Sequence, residues 1–379
     1  MANIPFLKRK IGQSYLIWFQ NSNLYFQLEK PAWFVFRKLI KQYKTETIAK
    51  EFSTRYSYSF EESLAFVSEI RLKIEEINQP EKPKNNTLQT LEGLDQYIST
   101  AYSIHRYLLG NKIIEFSYGT QWLENYIHPL INHLETREDI DEKPYFELFA
   151  FQDRVVFRFN NVVKGSWASD ESNLVKGKIF MELINVLHNK TDADWLMTVH
   201  ASAITNGQKT ILLSAPPGSG KTTLAALLQA NGYQLISDDF VPIDQESFHA
   251  YPFPIAMSVK EGSMEVLTSH YPALEKKQLN YITSEKSVRY LPVENKMMNM
   301  IFPVQGFIFV KYDNTVDFIL EKLDEVRGIT LLLEQTWVAP TKGNTAIFLE
   351  KVLQNPFFQL TYSNNQKALD AITQLFENE

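Results

Sequence analysis

The run Ile211-Leu212-Leu213-Ser214-Ala215-Pro216-Pro217-Gly218-Ser219-Gly220-Lys221-Thr222-Thr223 joins an apolar, β-leaning segment to a turn rich in glycine and followed by lysine and threonine. Such a turn wraps polyphosphate with backbone N–H groups, and the positive end of the helix that follows adds to the attraction. Each residue type has its own part. Gly218 and Gly220 permit close backbone approach, Lys221 sets a compact cation against the β- and γ-phosphates, and the Thr222 hydroxyl can hold Mg²⁺. Ala215 stands where G-x-x-x-x-G-K-[ST] has its first glycine, so the phosphate-binding stretch Ala215 to Thr223 departs from that pattern at one position.

A second set of candidates lies one helix downstream. Thr223 to Ala230 is strong helix material stopped by Asn231-Gly232, and Tyr233 to Ser237 reads as a strand ending in Asp238-Asp239. A strand–loop–helix–strand unit of this length predicts two parallel neighbouring strands, which brings the acidic pair to the same carboxyl edge as the loop. Two carboxylates beside a phosphate-bound metal can divide their work. One would hold Mg²⁺ and the other would take the proton of an attacking hydroxyl. Alone, Asp238-Asp239 is as readily a solvated loop pair; its register with the loop gives it meaning.

This short spacing between loop lysine and acidic pair resembles the HPr kinase/phosphorylase family and its relatives, which share a phosphoenolpyruvate-carboxykinase-like core. The resemblance rests on Val199-His200-Ala201-Ser202-Ala203 before the loop strand, on the loop itself, and on Leu235-Ile236-Ser237-Asp238-Asp239 after it. It implies ATP as the nucleotide, Lys221 on phosphate, Thr222 and Asp238 on the metal, Asp239 as the proton acceptor, and His200 shaping or polarising the site. It also raises a homo-oligomer, because the bacterial enzymes form rings. Where those enzymes carry Glu-x-Arg-Gly-x-Gly, this chain reads Ser258-Val259-Lys260-Glu261-Gly262-Ser263. Lysine replaces arginine, and Glu261 lies near but not at the metal glutamate. That departure argues against HPr as acceptor and against the reverse reaction. The looser HPr-kinase-like group, with its serine and peptide kinases of peptide natural products, is the better match, also in Pro252 to Lys260 and Val288 to Pro292.

The elements that must position these residues fall into an α/β chain of several parts. Residues 1–78 begin with two short strands, Ser14 to Phe19 and Leu24 to Leu28, around Asn21-Ser22-Asn23. Helical periodicity follows through Trp33 to Ile40, a segment with Thr45 as cap, and a long helix from Phe60 to Ile77. This order resembles the PqqD-like peptide-recognition fold, an α+β winged-helix relative that holds leader peptides by adding a strand to its sheet. Trp18, Trp33 and Phe19 are expected in its core. Residues 79–96 form a linker centred on proline-broken Gln79 to Asn86. Residues 97–190 form a sheet-rich lobe with strands at Lys112 to Tyr118, Tyr145 to Phe151 and Arg154 to Phe159 before a helix from Leu174 to His188; alternation in the last strand suggests a half-buried hairpin. Residues 191–379 are the P-loop nucleotide core, with strands at Gly306 to Tyr312 and Phe357 to Tyr362. Helices at Leu323 to Glu334, Thr345 to Leu353 and Asn365 to Phe376 are expected to complete its α/β layer.

Composition bounds what remains. The chain contains no cysteine, which excludes disulfides, thiolate metal sites and a cysteine nucleophile. No apolar run approaches the roughly 18 residues of a membrane span, and Met1 to Gln20 lacks a signal-peptide core, so a cytoplasmic location is expected. Lys260 and Arg289 are further cations that could clamp phosphate or substrate, or stand as solvated surface charges. His105, His128, His133, His188, His249 and His270 show no paired ligand spacing and read as packing or surface residues. Residues 1–80 carry 12 Lys/Arg against 8 Asp/Glu, too mild a surplus to favour nucleic acid as a partner.

The leading expectation is an ATP/Mg²⁺-dependent kinase acting on a hydroxyl of a peptide or amino acid, with a leader peptide held by the N-terminal domain. Two alternatives stay open: a nucleotide-gated peptide-binding adaptor without phosphoryl transfer, and a winged-helix transcription regulator.

Overall fold

Hairpin chemistry starts the N-terminal unit. Phe6–Ile11, Ser14–Phe19 and Leu24–Leu28 pair in chain order as an antiparallel sheet, in a computed structural model that describes residues 4–80, 91–282, 286–293 and 300–377. The first strand is a structural addition to the two that the sequence pattern reveals. Its middle, Lys8-Arg9-Lys10, is exposed and reads as a basic surface grouping, while left-handed Gly12 turns the chain into the next strand. Three helices cover one face: Lys30–Leu39, Thr45–Tyr56 and Phe60–Ile77. Thr45 is the first helical residue rather than the cap; the cap position is Lys44, which makes no side-chain hydrogen bond. Ser59 and Glu62 form a reciprocal capping box that fixes the start of the long helix. Ile17, Phe19, Phe36, Phe52 and Val67 pack between sheet and helices, Trp18 is buried, and Trp33 is half-buried, stacked on Tyr15.

Residues 324–330 and 338–354 cluster with this N-terminal unit. The helix Lys342–Val352 packs against Phe6–Ile11, and its buried Phe348 meets the Tyr25 ring at 6.2 Å. The expectation that this helix completes the layer of the nucleotide core is therefore corrected. Its apolar residues satisfy a helix pattern equally well in either place, and sequence periodicity does not name the partner surface. The linker's Glu81 to Thr90 lie outside the described residues.

The other unit contains both the sheet-rich lobe and the core that carries the glycine-rich loop. Five strands, Ser103–Leu109, Lys112–Tyr118, Tyr145–Phe151, Arg154–Phe159 and Val162–Ala168, lie in chain order in the lobe sheet. The crossover helix Gln121–Ile131 makes the second and third of these parallel. The strand Arg154–Phe159 is not half-buried as its alternation suggests, because both faces are covered. Arg158 is itself buried, pairs with Glu147 at 3.2 Å and donates to the carbonyls of Leu94 and Tyr97, which lie in a segment laid over that face. Phe180 of the helix Ser172–His188 packs edge-on against Phe253, tying lobe to core.

The core sheet contains, in order, Gln234–Ser237, Ala201–Thr205, Thr210–Ser214 and the long strand Phe302–Tyr312, which also pairs in parallel with Phe357–Tyr362. Gln234–Ser237 and Thr210–Ser214 are not neighbours, contrary to the simple unit read from the sequence. Ala201–Thr205 lies between them, antiparallel to both. Two strands antiparallel to a common neighbour are parallel to one another, so their carboxyl ends still share one edge. The inserted strand starts at that same edge, which delivers His200 there. A smaller antiparallel sheet of Met257–Lys260, Ser287–Leu291 and Asn280–Tyr281 stands beside the core. No helix among the described residues is long and apolar enough to cross a membrane.

Candidate functional site

The loop begins where the strand Thr210–Ser214 ends and closes on the helix Lys221–Ala230. Ala215 is buried and does not need a left-handed backbone, so the replacement of glycine there carries no conformational cost. Pro216, Pro217 and Gly218 are exposed, and Ser219 and Gly220 are half-buried. Glycine is required at two later positions. Gly218 has φ 96° and Gly220 φ 87°, and a Cβ on Gly220 would meet Tyr312 at 3.0 Å and the Tyr362 hydroxyl at 3.2 Å. Tyr312 also donates its backbone N–H to the Ser219 carbonyl, at 2.9 Å. Gly220 caps the helix without a side-chain hydrogen bond, so the first-turn N–H groups have no such partner. These open, positively polarised amides suit an anion.

Lys221 and the acidic pair meet at this helix start. Lys221 Nζ lies 2.7 Å from Asp239 and 3.4 Å from Asp238, while the Thr222 hydroxyl donates to Asp238 at 3.2 Å. Octahedral Mg²⁺, with bonds near 2.0–2.1 Å, places adjacent ligand atoms about 3 Å apart, a spacing that the 3.2 Å between the Thr222 and Asp238 oxygens matches. Asp238 is buried and also accepts from the Ser202 hydroxyl. Asp239 is reached from the other side by His200 Nε2 at 3.4 Å, and both of these side chains are 40 % exposed. The Asp239 backbone sits at φ 67°, a left-handed conformation that Asp adopts more readily than most residues.

Environment separates their acidities. Burial pushes Asp238 up, and adjacent Asp239 adds to it, against the pull of Lys221 and Ser202. For Asp239 burial also raises, but Lys221 and His200 outweigh it and hold the carboxyl well below the usual range. Burial works against the Lys221 cation, yet the two carboxylates raise its pKa.

The remaining candidates divide. Lys260 stands at the loop, its Nζ 3.9 Å from where a Gly218 Cβ would lie; burial and the Lys286 cation lower its pKa, with Asp239 opposing. Arg289 pairs across the strand with Val259, not with Lys260, so the two cations point to opposite faces of the ribbon. Arg289 instead holds Glu261 at 2.8 Å, and the Glu261 side chain is 68 % exposed. Thr223 meets the Ser263 hydroxyl at 2.6 Å, tying the segment from Lys260 to Ser263 down beside the loop helix.

Two participants escaped the sequence reading. Ser202 was legible in principle, being two positions after His200 at the start of the strand Ala201–Thr205. Lys176, on the lobe helix Ser172–His188, feels the Asp239 carboxylate, while burial and Lys286 lower its pKa. Nothing in the local sequence ties a residue so far upstream to this edge.

His133 and His188 are the packing residues expected of them. Their Nε2 atoms reach the carbonyls of Pro254 at 3.0 Å and Pro252 at 2.8 Å, and burial brings both pKa values down to about 4. His105 and His128 are packed as well, their rings 4.3 Å apart. Folding brings them together beside Glu135.

Neither a family model nor a curated protein sequence matches this chain.

Proposed function

We propose that the chain is an ATP- and Mg²⁺-dependent kinase that transfers the γ-phosphoryl group to a hydroxyl of a peptide or amino-acid substrate, as the resemblance to HPr-kinase-like enzymes implies. The observation that carries this reading is the convergence of Lys221, Thr222, Asp238, Asp239 and His200 at one sheet edge. Lys221 is paired with both carboxylates. On nucleotide binding it exchanges them for phosphate oxygens, and Asp239, relieved of its strongest ion pair, gains basicity while keeping His200. Thr222 and Asp238 would hold Mg²⁺, which supplies neutralisation of phosphate charge. Asp239 then accepts the proton of the acceptor hydroxyl. Lys260 and Lys176 are suited to the anionic side of the acceptor or the leaving phosphate.

Peptide as the substrate class is supported by the N-terminal unit. Among the described residues its strand Leu24–Leu28 pairs on one side only, with Ser14–Phe19, and an extended peptide could add to the other. Incubation with γ-labelled ATP and hydroxyl-bearing peptides tests the whole reading. Label on peptide from the wild type, lost in Asp239→Asn while nucleotide binding persists, is the expected result. Nucleotide binding with no labelled product of any kind would replace the kinase with a nucleotide-gated adaptor.

A further inference from the structure

The sheet-rich lobe gathers a second set of polar side chains that the nucleotide site does not use. His105 comes from the strand Ser103–Leu109, Glu124 and His128 from the helix Gln121–Ile131, and Glu135 from the turn after it. Glu124 and His128 are four residues apart and share a helix face. Each of His105, His128 and Glu135 offers one ligand atom, and the three atoms lie within 4.8 Å of one another. A tetrahedral Zn²⁺ centre with bonds of roughly 2.0–2.2 Å sets its ligand atoms about 3.4 Å apart, which small side-chain rotations here would achieve.

We propose that His105, His128 and Glu135 bind one divalent transition-metal ion of the Zn²⁺ class, with Glu124 orienting His105. The two faces of the His105 ring edge are already assigned: Nδ1 meets Glu135 at 2.7 Å and Nε2 meets Glu124 at 2.6 Å. A metal-bound histidine commonly donates its other N–H to a carboxylate, and Glu124 is placed for that part. The imidazoles of His105 and His128 lie 4.3 Å apart, centroid to centroid. His128 Nδ1 is held by the Tyr107 hydroxyl at 2.8 Å, itself 3.2 Å from the Tyr118 hydroxyl, leaving Nε2 for the ion.

The frame around these ligands is anchored. Thr120 caps the helix, a backbone bridge joins Tyr107 to Glu135, and Thr136 donates to the Arg106 carbonyl at 2.9 Å. The cluster is also within reach of solvent, since the side chains of His105 and Glu124 are 19 % and 18 % exposed and that of Glu135 is 46 % exposed. Two imidazoles and one carboxylate favour Zn²⁺ or Co²⁺ over Mg²⁺ or Ca²⁺, so this site is chemically distinct from the Thr222–Asp238 pair. Three protein ligands leave a fourth position to water. Bound there, the ion would clamp the crossover helix to the first lobe strand.

The test uses the full chain, stripped with a chelator and desalted, then titrated with Co²⁺ under visible absorption and with Zn²⁺ against a chromophoric chelator. One ion per chain with the intense bands of four-coordinate Co²⁺ is expected, undisturbed by millimolar Mg²⁺. His128→Ala and the isosteric, half-exposed Glu135→Gln should weaken binding by at least about 100-fold, and Glu124→Gln by about 10- to 100-fold. His270→Ala, at an exposed position, should leave it unchanged. No stoichiometric binding by the wild type, or equal binding by the Glu135→Gln and His128→Ala chains, overturns the proposal and leaves His105 as a histidine paired between two carboxylates.

Discussion

Two buried ion pairs in the same unit are built to opposite ends. Arg158 spends its guanidinium fully: it pairs with Glu147, donates to the carbonyls of Leu94 and Tyr97, and lies over the Phe149 ring at 4.5 Å. Glu147 also accepts from Ser99. One cation meets one anion, and the neighbouring dipoles complete the set. At the carboxyl edge of the core sheet a single lysine faces two carboxylates, beside a helix start without a side-chain cap and an aspartate held left-handed. Two adjacent carboxylates there share one lysine as their common partner. A closed pair serves the fold, whereas a shared one is ready to exchange partners, and that difference distinguishes a site from a staple.

The contrast can be broken most decisively at Asp239. If it is the proton acceptor, Asp239→Asn lowers transfer from ATP by about 10²- to 10⁴-fold with nucleotide affinity largely kept, measured by single-turnover label transfer and by equilibrium nucleotide binding. Unchanged transfer would remove the distinction between the two pairs. Arg158→Met is the matching experiment on the closed pair. It removes the cation beside buried Glu147 and should cost about 3–5 kcal/mol in denaturant unfolding, with no specific effect on nucleotide affinity.

A third measurement concerns buried groups held neutral. His133 and His188 have pKa values brought down to about 4 from 6.5, so the unfolded chain binds more protons between these values. Stability contributed by the two is complete above pH 6.5 and is lost as pH falls toward 4, on the order of 2 kcal/mol for each. Unfolding curves at pH 7 and pH 4.5 should show the loss, and the double variant His133→Gln/His188→Gln should flatten it. An unflattened slope would place the acid sensitivity elsewhere.

The smallest effect is the most discriminating in sign. Because the Asp238 pKa is raised, its ionised form costs the fold stability above the unfolded pKa. Asp238→Asn should therefore raise the melting temperature of the ligand-free chain slightly, on the order of 2 °C, while abolishing Mg²⁺-dependent nucleotide binding. Glu147→Gln should lower it. The same sign for both would mean that the two regions are the same kind of structure.

Much of this was written locally. The strands Ser14–Phe19 and Leu24–Leu28 and the helix Phe60–Ile77 fall where turn residues and apolar periodicity put them, because such signals act over a few residues. The turn after Thr210–Ser214 was equally legible, since its two left-handed positions fall on Gly218 and Gly220, within one turn of chain. Other features depended on distant partners. The strand Phe6–Ile11 is masked by its exposed basic centre, and Arg158 is concealed in an alternation that looked half-exposed. His105 and His128 are 23 positions apart on different elements, which no spacing rule for metal ligands covers.

The chain's residues by themselves determined the α/β class, the loop and its acidic pair, because backbone conformation and short-range charge are specified by neighbours in sequence. Tertiary structure alone decided that Ala201–Thr205 separates the strands Thr210–Ser214 and Gln234–Ser237, bringing His200 to Asp239 and Ser202 to Asp238. It likewise decided that the helix Lys342–Val352 joins the N-terminal unit. The physical reason is the same in both cases: burial is non-directional, so an apolar face specifies that it must be covered and leaves the choice of cover to the whole fold.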